Sequence, residues 1–219
     1  MQDLSHEIVL VAYASGCFPM ADSASADHIH WVEPIMRGIF PLSGFHIPRR
    51  LKRTIRQQPF SVSIDTDFEG TMRECARARP DRPSTWINGT ILKAYSDLHR
   101  FGHAHSVECR QGDTFVGGLY GVSLGRAFFG ESMVSYATDA SKIALTYLVA
   151  RLRIGGYELL DAQFKTPHLQ QFGAVEISQI EYLEKLEKAV DASRPPADFY
   201  RLSAEASPEA ILQSISQTS

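Results

Sequence analysis

The sequence predicts an α/β (α+β) protein, with a mixed sheet flanked by helices and a small amino-terminal lobe. Three observations carry this. Segments of helical and strand periodicity follow one another as helix, strand, two helices, hairpin meander, helix and two strands, a mixed order rather than a strict βαβ repeat. Residues 117–163 place two strands before a long amphipathic helix and a third strand after it, the order of a helix that packs across a sheet. A chain of 219 residues with 44% hydrophobic content can hold one large domain, or one domain and a small lobe.

Residues 4–15 are expected as a helix, with Ile8, Val9 and Ala12 on one side and Gly16 as its stop. Cys17-Phe18-Pro19-Met20 turns away, a polar loop covers 21–28, and Ile29-His30-Trp31-Val32 and Gly38-Ile39-Phe40 are short strands. These make the lobe, residues 1–42, which has too little apolar surface to fold alone. Residues 43–219 form the larger domain. Pro48 fits the first turn of a basic helix to about residue 57, and residues 60–64 alternate as a strand. A helix over about 68–78 ends in the loop 79–83, and Asn88 caps a helix that buries Ile91, Leu92, Tyr95 and Leu98 and stops at Gly102. Residues 106–110, a Gly112-Asp113 turn and Phe115 onward form a hairpin. After the central run come a strand at 174–178, a helix at 180–190 and, from about residue 192, a looser tail with a short helix near 208–214.

No apolar run reaches the roughly 18 residues of a membrane span, and the amino terminus lacks the basic start of a signal peptide, so a cytoplasmic protein is expected. Cys17, Cys75 and Cys109 have no metal-like spacing and are expected reduced. The net charge of −3 argues against a protein that coats nucleic acid. Yet Arg49, Arg50, Lys52, Arg53 and Arg56 fall within eight positions with no acid among them, and Arg73, Arg77, Arg79 and Arg82 follow. Such a face suits one anionic substrate held in one orientation, or is simply a solvated helix face.

Asp161 and Gln163 share a face if their segment is a strand, and Glu131 ends a neighbouring strand. Leu145, Leu148 and Leu152, at i, i+3 and i+7, lay an apolar stripe against the sheet. An apolar slot rimmed by carboxylates and an amide is one reading. The plainer one is that the leucines are core and the polar residues cap a turn. His103-x-His105 has no third ligand nearby, so a structural role is expected and no metal site.

The element order resembles the acetyltransferase-like (GNAT-like) fold, whose splayed sheet admits an acyl donor. Those enzymes grip pyrophosphate with a glycine-rich loop at the start of the helix after the central strands. Here that stretch, residues 134–141, has no glycine, so coenzyme A is not expected as a cofactor.

A more specific resemblance rests on motifs in fixed order. Gly16-Cys17-Phe18-Pro19-Met20, Thr85-Trp86-Ile87, Gly102-His103-Ala104-His105-Ser106-Val107-Glu108, Gly117-Gly118-Leu119-Tyr120-Gly121-Val122, Phe129-Gly130-Glu131-Ser132-Met133, Ala140-Ser141-Lys142, Asp161-Ala162-Gln163, His168-Leu169 and Gly173-Ala174 occur along residues 4–190. This set resembles the bacterial leucyl/phenylalanyl-tRNA–protein transferases. The resemblance implies transfer of Leu or Phe, and also Met, from aminoacyl-tRNA to proteins with amino-terminal Arg or Lys, marking them for degradation. It implies no cofactor, no DNA, no membrane and a monomer. The donor side chain would meet Leu119, Phe128, Met133, Leu145, Leu148, Leu152 and Leu160, with Glu131 at the edge. Trp86 and Met20 would meet the terminal adenosine, Asp161 and Gln163 the reacting ester, and the basic helix tRNA phosphates. Met20 stands where many relatives have Trp, and Ala162 where many have Cys between the reacting pair.

The implied reaction is aminolysis of an ester by an amine of pKa about 7.7 to 8.0, which needs little activation. Gln163 is essentially non-basic and is expected to orient, while Asp161 holds Gln163 and offsets charge on the amine. Two other readings remain: a small-molecule N-acetyltransferase, weakened by the missing phosphate loop, and a non-catalytic tRNA-binding module, which leaves Glu131, Asp161 and Gln163 unexplained.

Overall fold

The computed structural model describes residues 4–79 and 83–216. Seven strands form one sheet in the order β4-β5-β6-β7-β8-β3-β9, and β1 (Phe18–Ala21) and β2 (Ile29–Val32) form a separate antiparallel pair. Mixed α/β architecture with flanking helices therefore stands as the sequence predicts, whereas residues 18–20, expected to turn away, lie in a strand paired with residues 30–32. The strand over Met36–Phe40, β3, is the exception to the expected lobe at 1–42. It lies inside the large sheet, between β8 (Leu159–Gln163) and β9 (Val175–Ser178), because Gly38, Ile39 and Phe40 pair with β8.

Local signals place the helices. Ser5 caps α1 (His6–Ala14), Asn88 caps α4 (Gly89–Arg100) through the Ile91 amide, and Ser178 with Glu181 forms a reciprocal capping box on α7 (Gln179–Ala189). Pro48 sits one position outside α2 (Arg49–Gln57), at its N-cap. The hairpin of β5 (Ala104–Gln111) and β6 (Thr114–Leu124) continues into β7 (Ala127–Ser135), and α5 (Ala140–Gly155) packs against all three.

Two cores flank the sheet. One gathers α5 with Phe40, Leu119, Phe128 and Leu160; the other gathers α1, α3 (Phe68–Ala76), α4 and α7 with Tyr120, Phe129 and Leu159. Successive residues of β6, β7 and β8 thus serve opposite faces, as strand alternation requires.

The expectation of a loose tail from residue 192 is corrected. Phe199, Leu202, Ile211, Leu212 and Ile215 are buried in the first core, and α8 (Pro208–Ser216) packs on α5. Arg151, itself only 3% exposed, donates to the carbonyls of Phe199 and Leu202 at 2.9 and 2.6 Å. His105 stacks on Phe199 with ring centres 3.8 Å apart, and its Nδ1 lies 2.8 Å from Asp65. His103 Nδ1 lies 3.3 Å from the Ser123 carbonyl, so both histidines of the pair meet partners within the fold.

Candidate active site

The sheet opens at one place. β7 and β8 run parallel and pair only where Ala127, Phe128 and Phe129 face Leu159, Leu160 and Asp161. Past that point β7 stays with β6, whereas β8 stays with β3 and sets Gln163 opposite Gly38. The strands part, and a cavity of about 440 Å³ occupies the gap. Both walls carry a bulge at the opening. Gly121 faces Gly130 while Tyr120 faces Ser132, so Glu131 is an extra residue on β7; likewise Ala162 is extra on β8, between Asp161 opposite Ile39 and Gln163 opposite Gly38. An extra residue bends a strand and redirects its side chains. The close approach at Gly38 admits no side chain, since a Cβ there would stand 2.6 Å from the Lys165 amide nitrogen.

Of the apolar residues expected here, Leu119, Met133, Leu145, Leu148 and Leu160 line the cavity, joined by Phe40, Leu169 and Ala162. Phe128 and Leu152 do not. Phe128 lies where β7 and β8 are still paired, and its ring stacks on Phe199 at 5.8 Å. Leu152 lies one turn further along α5 and is fully buried in the first core. Met20 and Trp86 line the cavity together, tied by an Ala21 amide to Trp86 carbonyl bond of 3.2 Å.

The polar residues are arranged differently from simple alternation. Gln163 has φ +61°, a left-handed conformation unusual for a side chain this long, and its N–H donates to Asp161 Oδ1 at 2.7 Å. Asp161 is completely buried. Arg37 Nε donates to both of its oxygens at 3.0 Å, Arg37 Nη2 to Oδ2 at 2.6 Å and the Tyr182 hydroxyl to Oδ2 at 2.7 Å. The expected Asp161 contact with the Gln163 side chain is therefore corrected: Asp161 pins the Gln163 backbone, and Arg37 balances its charge. The carboxylate that touches the Gln163 side chain is Glu131, whose Oε1 accepts from Nε2 at 3.0 Å.

Glu131 also accepts from the hydroxyls of Tyr13 at 2.5 Å and Tyr95 at 3.3 Å, which lie 2.6 Å from each other. Burial pushes the Glu131 carboxyl up to about 7, against the opposing pull of the Tyr13, Gln163 and Tyr95 hydrogen bonds. The same burial and the nearby Glu131 carboxylate hold both phenols well above their usual range, so they stay protonated as donors. An ionised carboxylate can only accept, so it fixes the Gln163 amide nitrogen toward itself and leaves Oε1 without a partner among the described residues. The site thus offers a titrating carboxylate, an oriented amide and an apolar slot.

The sequence reasoning missed Arg37, Tyr13, Tyr95 and Tyr182 as parts of this site. Two signals were present. An arginine inside the short strand Met36–Phe40 cannot be buried without a carboxylate, and buried tyrosines on helices need partners for their hydroxyls.

On α2, Leu51 and Ile55 face the core, while Arg49, Arg50, Arg53 and Arg56 are exposed and Lys52 is half-buried. None of the five enters an ion pair among the described residues. The His46 amide, just before α2, donates to the Phe172 carbonyl, which ties the basic helix to the segment carrying His168 and Leu169. Arg82 lies outside the described residues.

A mixed sheet that splays over an apolar slot, with flanking helices and an amino-terminal antiparallel pair, gives an α+β fold with one opening, the architecture of the transferase class that the family match then specifies. Residues 39–187 match the family profile described as leucyl/phenylalanyl-tRNA protein transferase, and residues 2–35 match that of its N-terminal domain. The chain belongs to the leucyl/phenylalanyl-tRNA–protein transferase family and is an aminoacyltransferase. It is 52% identical to the leucyl/phenylalanyl-tRNA–protein transferase of Cereibacter sphaeroides, over 99% of this chain and 98% of that one. It is 53% identical to that of Caulobacter vibrioides, over 96% of each chain. The corresponding protein of Paramagnetospirillum magneticum is 53% identical over 87% of this chain and 91% of its own. No helix among the described residues is long and apolar enough to cross a membrane.

Proposed function

We propose that the cavity receives the Leu, Phe or Met side chain of an aminoacyl-tRNA, and that the acceptor is the α-amino group of a protein beginning with Arg or Lys, marked thereby for degradation in the cytoplasm. One observation carries the reading: the Gln163–Glu131 hydrogen bond stands in the wall of a leucine-lined slot where the sheet parts. Gln163 Oε1 orients the incoming amine, and Glu131 takes up the amine's proton as the C–N bond forms and returns it to the ribose oxygen as the ester C–O bond breaks, which leaves the carboxylate as it began. A carboxyl near 7 suits this exchange at neutral pH. Asp161 with Arg37 and Tyr182 holds Gln163 in place. Trp86 and Met20 pack the terminal adenine, and the cations of α2 meet phosphates.

Acetyl-CoA is disfavoured by the start of α5. The Ala140 N–H donates to the Ala137 carbonyl and the Ser141 N–H to Ser135 Oγ, both at 3.2 Å, so these amides are engaged inside the protein. No cofactor enters the chemistry, and one copy of the chain supplies every group named. Incubation with radiolabelled leucyl-tRNA and peptides beginning with Arg, Lys or Ala tests the reading, with acetyl-CoA in a parallel reaction. Transfer to the Arg and Lys peptides alone is expected; acetylation of either, or equal labelling of the Ala peptide, refutes it.

A further inference from the structure

His168 stands in the cavity wall on α6 (Pro167–Gln170), a single turn whose start is held by the Thr166 side chain, which caps the Leu169 amide at 3.3 Å. Gln171 sets the ring's chemistry. Its side-chain nitrogen donates to the His168 carbonyl at 2.8 Å and lies 3.4 Å from Nδ1. An amide nitrogen can only donate, so Nδ1 accepts and the proton of the neutral ring sits on Nε2. Burial, and then the Lys142 charge, hold the imidazole below its usual range, so the ring is neutral at pH 7 and above. Nε2 is buried, yet it has no hydrogen-bond partner among the described residues. A donor left this way is costly, and the same cavity is lined largely by apolar side chains, Leu145, Leu148 and Leu169 among them, while the ring itself meets Phe172 edge-on at 5.8 Å. Leu, Phe and Met side chains carry no strong acceptor. The acceptor oxygens that enter with them are those that join the amino acid to adenosine.

We propose that His168 is a donor-binding residue whose Nε2–H hydrogen-bonds an oxygen of the aminoacylated ribose, either the free ribose hydroxyl or the ester carbonyl. The proposal rests on the cavity being the donor site. It gives a task to a residue that neither the apolar pocket nor the Glu131–Gln163 pair uses.

The test compares the parent with H168Q and H168L in steady-state transfer from leucyl-tRNA to an Arg peptide, with Tm measured for each. A glutamine can set its amide N–H near the position of Nε2; leucine fills space without a donor. H168L should lower kcat/KM for leucyl-tRNA about five- to tenfold, the worth of one neutral hydrogen bond, and H168Q should recover most of that loss. Leucyl-tRNA lacking the free hydroxyl on its terminal ribose separates the two oxygens. If the hydroxyl is the partner, its removal penalises the parent and adds nothing in H168L. If the carbonyl is the partner, the H168L loss appears in kcat and the two changes add. Parental KM and kcat in H168L, or an H168Q as impaired as H168L at equal Tm, overturns the proposal. L148W in the same assay separates the two ideas. If L148W selects against phenylalanyl-tRNA while H168L is parental, only the role of His168 falls; if L148W handles both donors as the parent does, the donor-site reading falls with it.

Discussion

Asp161→Asn distinguishes a carboxylate that faces substrate from one that holds the site together. In the structure Asp161 and Arg37 are 0% and 1% exposed, and the carboxylate is occupied by Arg37 Nε and Nη2, the Tyr182 hydroxyl and the Gln163 N–H. Removing its charge leaves a buried guanidinium uncompensated, and breaking a buried pair from one side costs about 3–5 kcal/mol. For a chain of this size about 2–4 °C of Tm follows each kcal/mol, so a fall of about 6–20 °C is expected. Scanning calorimetry reads that fall, and single-turnover transfer well below the transition reads activity. Activity should drop as well, because the left-handed Gln163 depends on its bond to Asp161. Arg37→Met should lose similar stability from the other side. The double variant Arg37→Met, Asp161→Leu removes both charges; it should recover part of the stability and none of the activity. An Asp161→Asn protein with parental Tm and a large loss of rate would refute the argument and place the charge against the substrate.

Glu131 yields a pH prediction. Its folded carboxyl sits near 7, above the ordinary carboxyl value, so the fold binds the extra proton and stability falls as pH rises from about 4.5 through 7. In Glu131→Gln that part of the fall, read by urea denaturation across this window, should vanish. The rise of the transfer rate with an apparent pKa near 7 should give way to the amine's own rise at about 7.7 to 8.0, at a cost of about 10² to 10⁴ in rate; an unchanged profile would exclude Glu131 as proton acceptor. Gln163→Glu puts two carboxylates about 3 Å apart, which cannot both ionise, so it should lose activity even at raised pH, contrary to a base role for residue 163. Leu148→Trp should reject Phe before Leu, measured as the ratio of kcat/KM for the two donors, and a parental ratio would make that stripe core alone. Lys52→Ala with Arg53→Ala should raise KM for aminoacyl-tRNA and flatten its salt dependence by about two contacts, and a parental salt slope would mark these as ordinary surface charges.

The sequence by itself determined most of the elements and the apolar stripe of α5. Capping residues, periodicity and turn glycines act over a few positions, so α1, α4, the β5–β6 hairpin and α5 were legible to within a few residues, and the leucine stripe of α5 follows from spacing alone. Ordered motifs also marked Glu131, Asp161 and Gln163 as belonging together. Tertiary structure decided the rest. Alternation along β8 predicted that Asp161 and Gln163 act side by side, but a bulge at Ala162 and a left-handed Gln163 sent one to Arg37 and the other to Glu131. The residue opposite a bulge depends on the partner strand, and Arg37 lies 124 positions from Asp161 and Tyr13 118 from Glu131. Which leucines reach the cavity was likewise set by where β7 and β8 stop pairing, leaving Leu148 in the wall and Leu152 in the core. The tail was misjudged for the same reason: its few apolar residues look solvated until α5 and Arg151 provide the surface that buries them. Local pattern specifies which side chains can be buried, whereas charge compensation and strand separation arise between segments distant in the chain, and only the assembled sheet brings those segments together.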